Sequence, residues 1–246
     1  MDIDRISRES YQEDTDIFGK LAYHEDYRRN LSRHIKTILS GRSNLVLLEA
    51  GAGLGRHIPD YLDHCISVYL TDLNESMIKQ CREKYKSMTN MKWFQLDHGS
   101  LGNIPAEEPI DIILGTYTFG HYICACKEEP ECAYQHLIHE FLKIRHTEDT
   151  EIIITEVGTL NSHDITENSR LLEYYACLTR DFGIPQSIST DFKFENVQEA
   201  SRIMGSFFGK EAENDILAAY TENKDQGITI PECTYLWHTK LSMLLG

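Results

Sequence analysis

Leu47-Leu48-Glu49-Ala50-Gly51-Ala52-Gly53-Leu54-Gly55-Arg56-His57 is the stretch on which the fold turns. An apolar run, Leu45 to Leu48, ends in an acid and passes at once into a glycine-rich turn. A short run of this kind reads as a strand buried on both faces. Glycines are needed where the backbone turns tightly or a ligand approaches without a Cβ in the way. In open α/β sheets such a turn sits at the switch point where ligands bind. A plain tight turn between strand and helix stands as the alternative reading.

Outward from this loop, strands and helices alternate. Helical spacing of Tyr27, Leu31, Ile35 and Leu39 predicts one helix over 24–39, after a polar, frayed segment 1–20. A helix over 53–64 is expected after the glycines, then a strand at 67–71, a helix at 74–87, and strands at 91–96 and 110–115. A helix over 131–145 and a strand over 151–157 follow. This rhythm implies right-handed crossovers and a doubly wound α/β fold. The sheet is expected to be mostly parallel and seven-stranded, with helices on both faces. After Val157 the rhythm changes. One long helix is expected over 164–182, a strand over 187–194, helices over 197–207 and 210–222, and a last strand within 228–241. No linker splits the chain. The expected layout is an N-terminal helical cap (1–43), a ligand-binding core (44–157), and substrate-side helices with the last strands (158–246), the former acting as a lid.

Composition narrows the function. Lys plus Arg is 24 against 39 Asp plus Glu, a formal net charge of −15. Such a surface repels phosphate backbones and anionic membranes, so nucleic acid and membrane partners are not expected. No stretch approaches the roughly 20 apolar residues of a membrane span. The polar N-terminal segment has no secretion pattern, so a cytoplasmic location is expected. The seven cysteines, odd in number and irregularly spaced, read as reduced thiols.

The loop departs from the dinucleotide fingerprint, because the third glycine comes one residue early and Arg56 takes its place. Glu49, at the strand end, suits a cation better than a pyrophosphate. On Glu49, Gly51, Gly53 and Gly55 the chain resembles the class I S-adenosylmethionine-dependent methyltransferases. Three further landmarks match in order. Val68-Tyr69-Leu70-Thr71-Asp72 places an acid at the end of a second strand. Phe94-Gln95-Leu96-Asp97-His98 places one after a third, and Ile110 to Tyr117 forms a fourth. The resemblance implies S-adenosyl-L-methionine as cofactor and S-adenosyl-L-homocysteine as product. Gly51, Ala52, Gly53 and Gly55 would then form the cradle. Asp72 would take the ribose hydroxyls, since a carboxylate accepts two charge-assisted hydrogen bonds. Leu73 and Met77 would line the adenine, Asp97 and the His98 backbone would meet its edge, and Gly115 and Thr116 carbonyls would face the amino group. Asp72 reads equally as a helix N-cap.

The acceptor is expected above the fourth and fifth strands, near Tyr117, Phe119, His121 and Tyr122, with Glu156 beyond. His121 is the candidate base because imidazole titrates near neutrality; a structural loop histidine is the alternative. Glu156 reads as an acid for a substrate amine or for the cofactor side of the pocket, or as an ordinary strand-end acid, and Tyr117 as cofactor-pocket wall or core. Leu171, Tyr174, Tyr175, Leu178 and Phe182 form a helical stripe that reads as lid or core. Tyr235, Trp237 and His238 on the last strand read as facing the acceptor or as half-buried strand residues. The cluster of Cys124, Cys126, Cys132, His136 and His139 suits zinc by chemistry but not by spacing, and no metal is expected. Methyl transfer by in-line displacement to a small-molecule acceptor is the expected function. A non-catalytic binder of the same cofactor and a nicotinamide-dependent oxidoreductase are the alternatives.

Overall fold

In the computed structural model, which describes residues 15–160, 163–164, 168–220 and 227–245, β1 (Leu45–Ala50) is buried along its whole length. Its period-2 alternation sends Leu45 and Leu47 into one apolar layer and Val46, Leu48 and Ala50 into the other. Glu49 therefore falls on the same face as Leu45 and Leu47. The sheet is completed by β2 (Cys65–Asp72), β3 (Met91–Gln95), β4 (Ile110–Thr116), β5 (His146–Leu160), β6 (His163–Asp164), β7 (Gln186–Ser189) and β10 (Glu232–Lys240). The order is β3-β2-β1-β4-β5-β10-β7, with β6 pairing beside β5. β1 to β5 run parallel along this path, whereas β10 is antiparallel to both its neighbours. The doubly wound, mostly parallel architecture is as expected; the two-residue β6 is an addition to the seven strands.

Helices cover both faces. On the Leu45 and Leu47 side lie α2 (Asn30–Ile38), α3 (Ile58–Tyr61) and α4 (Glu75–Lys84). On the other side lie α5 (Phe119–Ala125), α6 (Pro130–Lys143) and α7 (Ser169–Phe182). A third, smaller core is formed by the antiparallel pair β8 (Phe192–Phe194) and β9 (Ile228–Ile230). Against it pack α8 (Val197–Phe208), α9 (Lys210–Ala219) and Leu21 of α1 (Thr15–His24).

Several boundaries differ from the sequence reading for identifiable reasons. The single helix over 24–39 is two helices, α1 and α2. Asp26 and Arg29 take positive φ between them, and the Asp26 carboxylate caps α2 by accepting from the N–H groups of Asn30 (2.7 Å) and Leu31 (3.0 Å). The helix over 53–64 shrinks to α3 followed by a 3₁₀ turn over Leu62–His64, because Gly53 and Gly55 both hold positive φ. The long helix over 164–182 begins at Ser169, with Asn168 capping it; positions 165–167 lie outside the described residues. The strand over 187–194 breaks between Ser189 and Phe192, and the one over 228–241 breaks at Pro231. Each pair of pieces lies in two different sheets. Proline cannot donate to a ladder and marks such a break. The helix over 210–222 ends at Ala219, and its last two positions lie outside the described residues.

Candidate functional site

A cavity of about 800 Å³ opens at the C-terminal ends of β1, β2, β4 and β5. Gly51, Ala52 and Gly53 line it, with φ of 71° at Gly51 and 53° at Gly53. A Cβ on Gly51 would lie 2.0 Å from the Thr118 hydroxyl oxygen, so only glycine lets the loop pass under the start of α5. Gly55 and Gly115 do not line the cavity. A Cβ on Gly55 would meet the Cys81 sulfur at 2.6 Å and Ile58 at 2.7 Å, and one on Gly115 would strike the Phe119 ring at 2.1 Å. Both are packing glycines that seat the loop and α5.

The acids named from sequence converge here. Glu49, 1% exposed, accepts a 2.5 Å hydrogen bond from the Tyr61 hydroxyl. Burial pushes its carboxyl up to about 8, against the Tyr61 bond and with help from Asp60 and Asp72. Asp72 also lines the cavity and accepts from the Gly53 N–H (2.8 Å) and the Asn74 N–H (2.8 Å). Burial raises its carboxyl and those backbone bonds oppose the rise. It is not the cap of α4. Asn74 does that, accepting from the Ser76 and Met77 N–H groups. Leu73 and Met77 flank Asp72 in the cavity wall.

Asp97 caps a 3₁₀ turn over His98–Asn103 by accepting from the Gly99 N–H at 2.8 Å. Desolvation of the half-buried His98 ring drives its pKa down to about 4 against the pull of Asp97, so it is neutral at pH 7. Its Nε2 lies 2.7 Å from the Thr118 hydroxyl, while its Nδ1 is buried without a protein partner. Thr116 and Tyr117 follow β4 in the wall. Tyr117 has a φ of 53°, costly for a bulky side chain. It is held there by its N–H to the Thr155 carbonyl (2.7 Å) and its hydroxyl against that of Thr234 (2.5 Å).

His121 lies in the cavity wall on the first turn of α5, a helix absent from the sequence reading. Glu156 is 5% exposed, and its Oε1 accepts from the Gly120 N–H at 2.8 Å, so it caps the same helix. Leu171 and Tyr175 reach the cavity, whereas Tyr174 and Leu178 of the same stripe are core. Of the two readings of Tyr235, Trp237 and His238, the half-buried antiparallel strand is the one seen, and none of the three lines the cavity. Alternation along β10 buries Trp237 against Tyr175 and turns His238 outward to Glu151 at 2.8 Å. Among the described residues no three of His, Cys, Asp and Glu gather as metal ligands; His136, for example, pairs with Glu140.

Three charged groups escaped the sequence reading in this setting. Glu25 at the end of α1, Arg56 in the glycine loop and Glu232 at the start of β10 meet at the far end of the cavity. Arg56 Nη1 lies 2.6 Å from Glu25 Oε2. The signals were a buried acid next to Pro231 and an arginine weighed only as a broken fingerprint. Among the described residues, no helix is long and apolar enough to cross a membrane.

Comparison with known proteins finds similarity to methyltransferases over part of the chain. Residues 47–138 match the family model described as a methyltransferase domain. An uncharacterised methyltransferase of Geobacillus kaustophilus is 29% identical over 165 residues, covering 63% of this chain and 74% of that protein. One from Geobacillus thermodenitrificans is 27% identical over 193 residues, covering 72% and 87%. An S-adenosylmethionine-dependent methyltransferase from Thiobacillus denitrificans, solved with S-adenosyl-L-homocysteine, shares the fold at a TM-score of 0.50 and 12% identity. It covers 98% of either chain. The [4+2]-cyclase SpnF shares it at a TM-score of 0.54 and 10% identity, covering 97% of this chain and 96% of that one. The fold alone thus hosts more than one chemistry, but the matched domain and the curated relatives agree in kind: over residues 47–138 the chain is similar to methyltransferase domains.

Proposed function

We propose that the cavity binds S-adenosyl-L-methionine along the β1–β2 loops and transfers its methyl group to a small-molecule acceptor held between β4, β5 and the β8–β9 layer. The observation that carries this reading is the joining of a Cβ-free cradle to a half-buried carboxylate, through the Gly53 N–H to Asp72 bond. The donor set fits the group. Asp72 retains lone pairs for a vicinal diol. The unpartnered His98 Nδ1 gives a neutral polar contact for a heterocycle edge. Leu73 and Met77 supply apolar faces.

The cofactor, when bound, supplies a methyl group already activated by cationic sulfur, so that displacement in line with the leaving sulfur needs little further activation. The chain's contribution is then orientation, worth several kcal/mol. Gly51, Ala52 and Gly53 set the donor's position, with Thr116 behind them. Glu49, neutral at pH 7, offers a carboxyl that ionises in response to nearby positive charge. Glu156 orients α5 by its cap, and α5 in turn presents His121 as the group available to take a proton from the acceptor. Tyr117, in its strained conformation, fixes the wall between the donor and acceptor ends. Leu171 and Tyr175 exclude water above it.

Calorimetric titration with S-adenosyl-L-homocysteine tests the reading. The full chain should bind it, and Asp72→Ala should weaken binding by about 10-fold to 100-fold, the loss of charge-assisted hydrogen bonds. Asp72→Asn should fall between the two. A folded wild-type protein that shows no heat of binding would overturn the proposal.

A further inference from the structure

Resting on that reading of the cavity, we propose that the acceptor is a cationic amine with an apolar body, its ammonium seated against Glu232 and Glu25. Glu232 is 5% exposed, lines the cavity, and has one carboxylate oxygen buried with no protein partner. Glu25, with a side chain 10% exposed, likewise leaves Oε1 buried and unpartnered while Oε2 holds Arg56. Arg56 is the only lysine or arginine in the described lining, and it is already engaged by Glu25. Arg56 and Glu25 balance each other, and Glu232 is left without a cation of its own, so a position for one further positive charge remains. Buried carboxylates without partners are costly, so an arrangement that keeps two of them invites a cation that completes it.

The other groups around Glu232 support this. Asp26 adds negative charge, and the Asp191 carboxylate accepts from the Glu232 N–H at 3.1 Å. The Tyr117 phenol, pushed up by burial and by Glu25 and Glu232, stays neutral. Burial and the nearby Glu25 hold the Glu232 carboxyl well above the ordinary carboxylate range; a hydrogen bond from Thr190 and the charge of Arg56 oppose this. A neutral Glu232 that releases its proton to solvent as an ammonium enters, forming an ion pair in its place, gives a site that discriminates by charge. Beside it, Phe18, Leu21, Phe207, Phe208 and Ile216 line the cavity with apolar and aromatic surface. Such walls suit the hydrocarbon part of an amine, and aromatic faces attract the cation itself.

The test titrates the full chain, with and without saturating S-adenosyl-L-homocysteine, with 2-phenylethylamine and hexylamine. The uncharged 2-phenylethanol and the anionic 3-phenylpropionate serve as matched probes. At least one amine should bind, the alcohol about 10-fold more weakly or worse, and the carboxylate not measurably. Glu232→Gln should lower amine affinity about 10-fold while leaving S-adenosyl-L-homocysteine affinity within about twofold, which also reports that the variant is folded. The inference is overturned if neither amine binds, if the alcohol or the carboxylate binds as well as the amines, or if Glu232→Gln leaves amine affinity unchanged. Equal weakening of S-adenosyl-L-homocysteine and amine by Glu232→Gln would also overturn it, because the acids would then serve the cofactor. The wild-type comparison of amine with alcohol stands even if that variant fails to fold. Absence of S-adenosyl-L-homocysteine binding alone would instead count against the cofactor assignment.

Discussion

Glu49 carries the largest electrostatic consequence of any single residue in β1. Its ordinary value is 4.5, and burial raises it to about 8 in the fold. The folded chain therefore binds more protons than the unfolded one between these limits. The contribution of the neutral carboxyl is fully present below pH 4.5 and is lost progressively as pH rises toward about 8. Comparing melting temperatures of the ligand-free wild type and Glu49→Gln isolates the effect. The variant should gain relative to the wild type as pH increases across this window; a constant difference would count against the buried neutral acid. Glycines give a second residue-scale contrast. Gly41 and Gly55 both have positive φ, but a Cβ at Gly41 meets nothing within 4 Å, whereas one at Gly55 meets three side chains. Gly41→Ala should cost about 1 kcal/mol from backbone strain alone. Gly55→Ala should cost about 1–3 kcal/mol more from overpacking, measured by urea unfolding.

Among the elements, α5 is the least legible in sequence and the most consequential for the site. Its seven residues carry no long apolar period, and Gly120 at its start argues against a helix. What holds it is a contact distant in sequence, the Gly120 N–H to Glu156. Removing that acceptor should cost about 1–3 kcal/mol, so Glu156→Ala should unfold at lower urea than Glu156→Gln, which keeps one carbonyl oxygen. Equal midpoints for the two variants would remove the capping role. The strands, by contrast, were readable almost throughout, because burial on both faces demands continuous apolar runs such as Ile112 to Leu114. The breaks at Asp26 and Pro231 were not. The spacing of apolar residues runs straight through both, and only the packing of α1 and β9 against the small third core decides them. The same limit applied to the site. Glu49, Asp72 and Asp97 stand at strand ends, where position implies role. Glu25 and Glu232 lie far apart along the chain, and only the fold brings them to Arg56.

Across the whole molecule, the cavity is walled on one side by the large sheet and on the other by α1, α8 and α9. A ligand that touches both should hold them together. Binding at 100 times the dissociation constant stabilises the native state by about 2.7 kcal/mol, and the effect should concentrate in the smaller layer. Hydrogen exchange should show added protection in α8 and α9 when S-adenosyl-L-homocysteine and an amine are both present, with the middle of β1 and β4 unchanged. Uniform slowing over the entire chain would argue against a separately opening layer.

Only Pro231 separates β9 in the small sheet from β10 in the large one, and Glu232 is the first residue after it. The roof and the floor of the chamber are thus two ends of one short rigid hinge. A tilt of the roof would be felt first at the acid beside its pivot, so that admitting a guest and setting its charge contact would become a single movement.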